Sequence, residues 1–284
     1  MSKFLIKAPA KVNLFLHIIG VQDDNYHLLE SLFVFVKIYD LLEIELDTSK
    51  KGVYFSKFTK VSKYNNTIQK AIECLMKSSQ INTNVCVNVI KNILISAGLA
   101  GGSADAAAVM RLLGKLWNID MNTLKKIALD IGTDVCACLE SKTSFITGIG
   151  ENVLPLPELC LPKYIILVAP KEKALSSKKV YNAYQQSNFS ESIANNLPTN
   201  QEGWMDLIYK SRNDLTSTAL QFIPDITEML LALERSNGCL VSRMTGSGST
   251  CFGLFEDANK AACAERNLQL KYPGWWIYNT EIIT

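Results

Sequence analysis

Residues 96–107 read SAGLAGGSADAA, and this run limits the fold more than any other stretch of the chain. It joins a strand-like segment, 84–90, to a run in which Val109, Leu112, Leu113, Leu116 and Trp117 recur with helical spacing. The first segment asks for a sheet and the second for an amphipathic helix, so the chain mixes α and β structure. Glycines at 98, 101 and 102 let the backbone approach whatever lies over the helix start, where a Cβ would stand in the way. Successive N–H groups at such a start can face an anion, and the helix dipole adds to their pull. The run is no P-loop, because no lysine follows its glycines. The two GxG runs at 148–150 and 246–248 lack the third glycine of a dinucleotide fingerprint. By itself, 96–107 is equally a flexible turn ahead of a helix.

At 284 residues the chain exceeds the usual single-domain size, and one large or two medium domains are expected. Apolar residues make up 48% and charged ones 20%, enough for a substantial core. Lys+Arg 29 against Asp+Glu 27 leaves +2, too balanced for nucleic acid to be the main partner. A small anion needs only a local basic pocket. Residues 1–20 show no cationic leader ahead of an apolar run, so a signal peptide is not expected. No apolar run approaches the ~18 residues of a membrane span. A cytoplasmic protein is therefore expected, with no membrane or nucleic-acid partner. Eight cysteines are scattered through apolar segments, with two histidines and no CxxC pair. Buried thiols, Cys136 and Cys138 included, are expected rather than zinc ligands.

Along the chain, residues 11–18 alternate. Val12, Leu14, Leu16 and Ile18 face one way, and Lys11, Asn13, Phe15 and His17 the other. A turn at Asp23, Asp24 and Asn25 leads to strands at 28–38 and 41–46, a helix at 67–76 and the strand at 84–90. A helix at 122–131, with Asn122 as cap, and a strand at 143–147 follow. The proline-punctuated stretch 154–162 is the best domain boundary. Beyond it come a strand at 163–169, a helix at 177–185 and a polar, mobile loop at 189–201. Helices at 214–222 and 225–236, strands at 241–244 and 251–255, a helix at 259–270 and a strand at 275–279 close the chain. That order predicts an α+β, ferredoxin-like C-terminal domain.

Four stretches, in order, resemble the motifs of the GHMP kinase superfamily. They are APAKVNLFLHIIG (8–20) with DNYHLLESLF (24–33) behind it, AGLAGGSADAA (97–107), IGTDVCACL (131–139) and MTGSGSTCFGLF (244–255). The YH pair at 26–27 is similar to the branch whose acceptor alcohol carries cytidine diphosphate. The resemblance implies a two-domain α+β GHMP kinase fold. An N-terminal ribosomal protein S5 domain 2-like nucleotide domain would span 1–156, and a ferredoxin-like domain 157–284. It implies transfer of the γ-phosphate of ATP, with Mg²⁺, to the 2-hydroxyl of 4-diphosphocytidyl-2-C-methyl-D-erythritol, a step toward isoprenoid precursors. A GHMP kinase acting on homoserine or mevalonate, and a silent nucleotide-binding protein of the same fold, are the alternatives. Leu94 stands where the family often has proline, and Ala100 and Ala104 where glycine and serine are usual.

The resemblance also assigns residues. Asp134 would accept the hydroxyl proton, although an aspartate ahead of 135–139 is by itself more often a helix cap. Lys11 would pair with it and stabilise developing negative charge, and Asn13, two residues on along the same strand face, would touch the substrate. Ala97, Gly98, Leu99, Ala100, Gly101, Gly102 and Ser103 would cradle the phosphates, with the Ser103 hydroxyl a candidate metal contact. Asn66 and Lys91 would lie on the adenine side of ATP. Tyr26 and His27 would read the cytosine, with Phe33 and Tyr181 nearby, and Gly246, Ser247 and Gly248 would close on the diphosphate. Either a monomer or a homodimer is compatible with these assignments.

Overall fold

A computed structural model describes residues 2–23, 25–55, 66–156, 159–185 and 189–283. Asp24 of the expected turn and Pro157 of the expected boundary lie outside the described residues. By their contacts the residues fall into two compact units that interleave in sequence. The first comprises Met1–Lys11, Ile38–Ile95 and Ala100–Ser141, and the second Val12–Lys37, Ser96–Leu99 and Lys142–Thr284.

The chain opens with two long paired strands, β1 (Ser2–Val21) and β2 (His27–Leu46). The expected break between 38 and 41 does not occur. Asp40, which would ordinarily interrupt an apolar strand, is buried there with hydrogen-bond partners of its own. Residues 11–17 of β1 are buried on both faces, so the alternation that suggested a half-exposed strand does not mark a solvent face.

In the first unit, the second half of β2 pairs antiparallel with β4 (Val85–Ile90), from Leu41↔Ile90 to Leu46↔Val85. A short strand that the sequence did not announce, β3 (Gly52–Phe55), joins β4 in parallel. Helices α1 (Thr67–Ser79), α2 (Gly101–Leu116), α3 (Met121–Ile131) and α4 (Thr133–Glu140) pack on one another. Ile68, Ala71, Ile72 and Leu75 form the buried stripe of α1, the spacing an amphipathic helix requires. Asp120, not Asn122, caps α3: its carboxylate accepts from the Thr123 N–H at 3.0 Å and from the Thr123 hydroxyl at 2.6 Å.

In the second unit, the first half of β2 pairs with β5 (Ser144–Thr147), and β5 pairs with β6 (Asn152–Pro155). The proline-punctuated stretch thus begins as a strand. A separate antiparallel sheet follows from β7 (Tyr164–Pro170), β8 (Cys239–Met244), β9 (Cys251–Phe255) and β10 (Trp275–Glu281), in the order β10-β7-β9-β8. Helices α5 (Ser177–Ala183), α6 (Gln201–Lys210), α7 (Thr216–Leu220) and α8 (Asp225–Glu234) lie between its first two strands in sequence, and α9 (Ala258–Lys271) precedes its last. This strand order and the flanking helices give the ferredoxin-like arrangement expected of this part.

The segment 189–201 is tied down rather than loose. The Ser190 N–H donates to the Ile18 carbonyl, its hydroxyl meets Asp214 Oδ2 at 2.6 Å, and the Ile193 N–H donates to Glu30 Oε2 at 2.7 Å. Among the described residues no helix is long and apolar enough to cross a membrane.

Candidate active site

In the first unit, Lys11 reaches Asp134, 123 positions further along the chain, with Nζ 3.6 Å from Oδ2. Their surroundings differ. The Lys11 side chain is 5% exposed and that of Asp134 is 40% exposed. Gly132 occupies the cap position of α4, without a side-chain cap bond, and Asp134 stands in the first turn. The reading of Asp134 as a helix cap is thereby set aside, although the positive end of the helix still favours its negative charge. An ion pair at this distance, with one partner open to water, leaves carboxylate lone pairs for an incoming hydroxyl.

One residue that the sequence did not single out supports this helix. Arg111 of α2 donates from Nη1 to the Cys138 carbonyl and, at 3.0 Å, to Ser141 Oγ, tying down the far end of α4. Burial lowers the Arg111 pKa. Cys138, wholly enclosed, is pushed far up by burial and by the charge of Asp134, so its thiol is inert. Among the described residues no group of three histidine, cysteine or carboxylate side chains is placed to hold a metal ion.

The glycine run divides between the units. In the second, Gly98 adopts φ +81°, and a Cβ there would stand 2.6 Å from the Thr245 carbonyl and 3.0 Å from that of Gly248. Only glycine fits that approach. Thr250 N–H donates to the Ala97 carbonyl at 3.2 Å, and Leu99 is fully buried. The 246–248 turn is itself held by Asn213, whose Nδ2 donates to the carbonyls of Met244 (2.7 Å) and Gly246 (2.8 Å), while Ser247 and Ser177 share a hydroxyl bond of 2.7 Å. Asn13 joins this set: its N–H donates to Thr245 Oγ1 at 2.8 Å and its Nδ2 to Ser31 Oγ at 2.9 Å.

In the first unit, Ala100 takes the left-handed conformation (φ 52°) and opens α2 without a side-chain cap. The N–H groups of Gly101, Gly102 and Ser103 in the first turn therefore have no capping side chain. Ala104 is 1% exposed, so a hydroxyl there would be buried. Thr67 Oγ1 donates to the Gly102 carbonyl at 2.7 Å, anchoring the turn to α1. Asn66 caps α1 by accepting from the Gln69 N–H at 2.8 Å. Lys91 lies in a closed ion cluster with Asp40 and Asp105.

Two of the expected base-reading residues, His27 and Tyr181, meet in the second unit. The His27 imidazole lies 5.4 Å from the Tyr181 ring at 49° and 5.4 Å from Tyr184 at 80°, an edge-on contact. Burial lowers the pKa of His27, favouring the neutral ring, which both donates and accepts a hydrogen bond. Tyr26 is 55% exposed beside it in sequence. Tyr184, just past the end of α5, was not anticipated; its spacing of three from Tyr181 was the available signal. Phe33 is 3% exposed on β2, in the core.

The family models described as "GHMP kinases N terminal domain" and "GHMP kinases C terminal" match residues 66–142 and 193–274. The 4-diphosphocytidyl-2-C-methyl-D-erythritol kinase of Ehrlichia canis (strain Jake) is 58% identical over 283 residues, covering 100% of both chains. The enzyme of the same name from Wolbachia sp. subsp. Drosophila simulans (strain wRi) is 39% identical, again over 100% of both. A crystal structure of 4-(cytidine 5'-diphospho)-2C-methyl-D-erythritol kinase superposes with a TM-score of 0.79 at 25% identity, over 99% of this chain and 100% of that one. Homoserine kinase from Cytophaga hutchinsonii gives 0.76 at 17% identity, over 99% and 95%, a likeness of fold alone.

Proposed function

The chain belongs to the 4-diphosphocytidyl-2-C-methyl-D-erythritol kinase family of GHMP kinases, and we propose that it phosphorylates the 2-hydroxyl of that cytidylyl alcohol with ATP. The observation that carries the chemistry is the Lys11–Asp134 pair, with its carboxylate open on one side. As the hydroxyl oxygen bonds to the γ-phosphorus, the bond from that phosphorus to the β–γ bridging oxygen breaks and ADP leaves. Asp134 Oδ2 takes the hydroxyl proton, and the Lys11 ammonium offsets the negative charge that develops nearby.

The N–H groups of Gly101, Gly102 and Ser103 hold phosphate oxygens, helped by the positive end of α2. His27, neutral and backed by two tyrosine rings, reads the cytosine edge, and Tyr26 stacks on the base. Magnesium, when bound, neutralises charge on the transferring phosphoryl group. The Ser103 hydroxyl is the candidate protein contact for an ion bound mainly through nucleotide phosphates rather than in an all-protein cage. A domain boundary near 156 belongs to this reading: the family matches at 66–142 and 193–274 fall on either side of it, while by their contacts the two units interleave and divide after Ser141. Cytoplasmic residence is part of this reading, supported by eight cysteines that remain thiols.

The deciding assay follows ADP release by the purified protein with MgATP and each of three alcohols. Turnover with the cytidylyl methylerythritol is expected, and turnover only with homoserine or mevalonate would overturn the substrate assignment.

A further inference from the structure

The cluster around Lys91 is a group of buried charge that the proposed chemistry leaves unused. Lys91 follows directly on β4, Asp40 comes from β2 and Asp105 from α2. The Lys91 ammonium donates to Asp40 Oδ2 and, at 2.6 Å, to Asp105 Oδ2. Their side chains are 7%, 0% and 2% exposed, so water does not share the pairing. Asp40 Oδ1 also accepts the N–H groups of Asn92 (2.6 Å) and Ile93 (2.9 Å), so the chain leaving β4 wraps around that carboxylate.

Lys91 and Asp105 bracket the run 92–104, and their contact closes it. The first turn of α2 rests on the same cluster: a Cβ on Gly101 would lie 3.3 Å from Lys91 Nζ and 3.0 Å from Ile93 Cγ2. Asp105 Oδ1 is buried without any hydrogen-bond partner. A buried ion group of this kind is a poor source of net stability, since apolar residues of similar volume often do as well. What it supplies is a single geometry, because each group is left uncompensated if the others move.

We propose that Asp40, Lys91 and Asp105 are positioning residues for the nucleotide: a buried clasp that fixes the first turn of α2, so that its N–H groups stay arrayed for phosphate. This rests on the reading above that the turn holds the phosphates of ATP. It gives Lys91 a different task from contact with adenine, since two of its three ammonium protons go to the carboxylates.

Two probes separate the possibilities on the full-length protein: a non-hydrolysable ATP analogue and inorganic tripolyphosphate, each titrated calorimetrically with magnesium. Lys91→Met and the near-isosteric Asp105→Asn are each compared with wild type, with folding checked by circular dichroism and thermal melting. The clasp predicts at least a tenfold loss of affinity for both probes by a common factor. It also predicts that affinity for the cytidylyl alcohol stays within about twofold. A loss confined to the purine analogue would overturn the proposal in favour of direct base contact by Lys91. Unchanged affinity for both probes in a folded variant would also overturn it. Should Lys91→Met fail to fold, Asp105→Asn, which keeps shape and one ion pair, decides on the same criteria. Failure of the wild type to bind either probe would count against the kinase reading, a distinguishable result.

Discussion

Two lysines of the first unit stand beside aspartates, in opposite settings. Lys11 meets Asp134 at 3.6 Å, and that carboxylate is 40% exposed. Lys91 meets Asp40 and Asp105 at closer range, where neither carboxylate is more than 2% exposed. The open pair keeps lone pairs and space for a reactant. The closed cluster has its ammonium and both Asp40 oxygens engaged by β2, β4 and α2 or the segment leaving β4. Solvent access, not residue type, thus separates a lysine–aspartate pair fitted for chemistry from one fitted for holding a shape.

The comparison is most easily broken at the open pair. Asp134→Asn is expected to lower kcat by ~10²-fold or more, while stability stays within about 0.5 kcal/mol because the side chain is half-exposed. Steady-state kinetics beside urea unfolding checks both halves. Near-normal turnover would remove the distinction between the two lysines.

At the closed cluster the largest effect belongs to stability. Asp40→Asn weakens the pairing with a buried ammonium and is expected to destabilise the fold by about 3 kcal/mol or more, read from the urea midpoint. A loss as small as that of Asp134→Asn would show the cluster to be wetter than its burial indicates.

Acidity sharpens the contrast further. Burial pushes the Asp105 carboxyl up to about 7, with Lys91 opposing and Asp40 adding to the rise. The orphaned Oδ1 agrees with that direction, because nothing but Lys91 favours the ionised form. Below its ordinary value of 3.8, Asp105 is protonated whether the chain is folded or not. Between 3.8 and about 7 the folded chain keeps a proton that the unfolded chain releases, so this contribution to stability falls as pH rises and levels off above 7. Subtracting the stability profile of Asp105→Asn from that of wild type should isolate this slope. A flat difference would place the proton elsewhere.

The smallest effect concerns the loop that Lys91 and Asp105 bracket. Ala100 sits at φ 52°, where a Cβ costs roughly 1 kcal/mol. Ala100→Gly is therefore expected to be neutral or stabilising by up to about 1 kcal/mol in thermal melts. Gly98→Ala has no such freedom, with the Thr245 carbonyl 2.6 Å from the new atom, and should destabilise clearly.

Much of this was legible in the residues. The strand–glycine–helix run, the ferredoxin-like order of the C-terminal strands and the Lys11–Asp134 pairing follow from periodicity, turn residues and motif resemblance. What escaped had weak local signals. Helix α6 buries only Trp204 and Ile208 and starts in a polar stretch, so no apolar stripe announced it. Strand β3 has four residues, too few for alternation to register. Asp40 and Asp105 are single acids in apolar surroundings, and their meeting depends on β2, β4 and α2 coming together over distances that no local pattern reports. The carboxylate set among alanines in SADAAAV was the one available hint, since a solvated aspartate would more often have polar neighbours.

Single-turnover phosphoryl transfer at saturating MgATP and cytidylyl alcohol tests the open-versus-closed distinction most directly. The account predicts that Asp134→Asn slows the transfer step by ~10²-fold or more. Asp105→Asn, once nucleotide is saturating, should stay within about threefold of wild type, its defect appearing in ATP affinity. Equal slowing of the transfer step in both variants would contradict it.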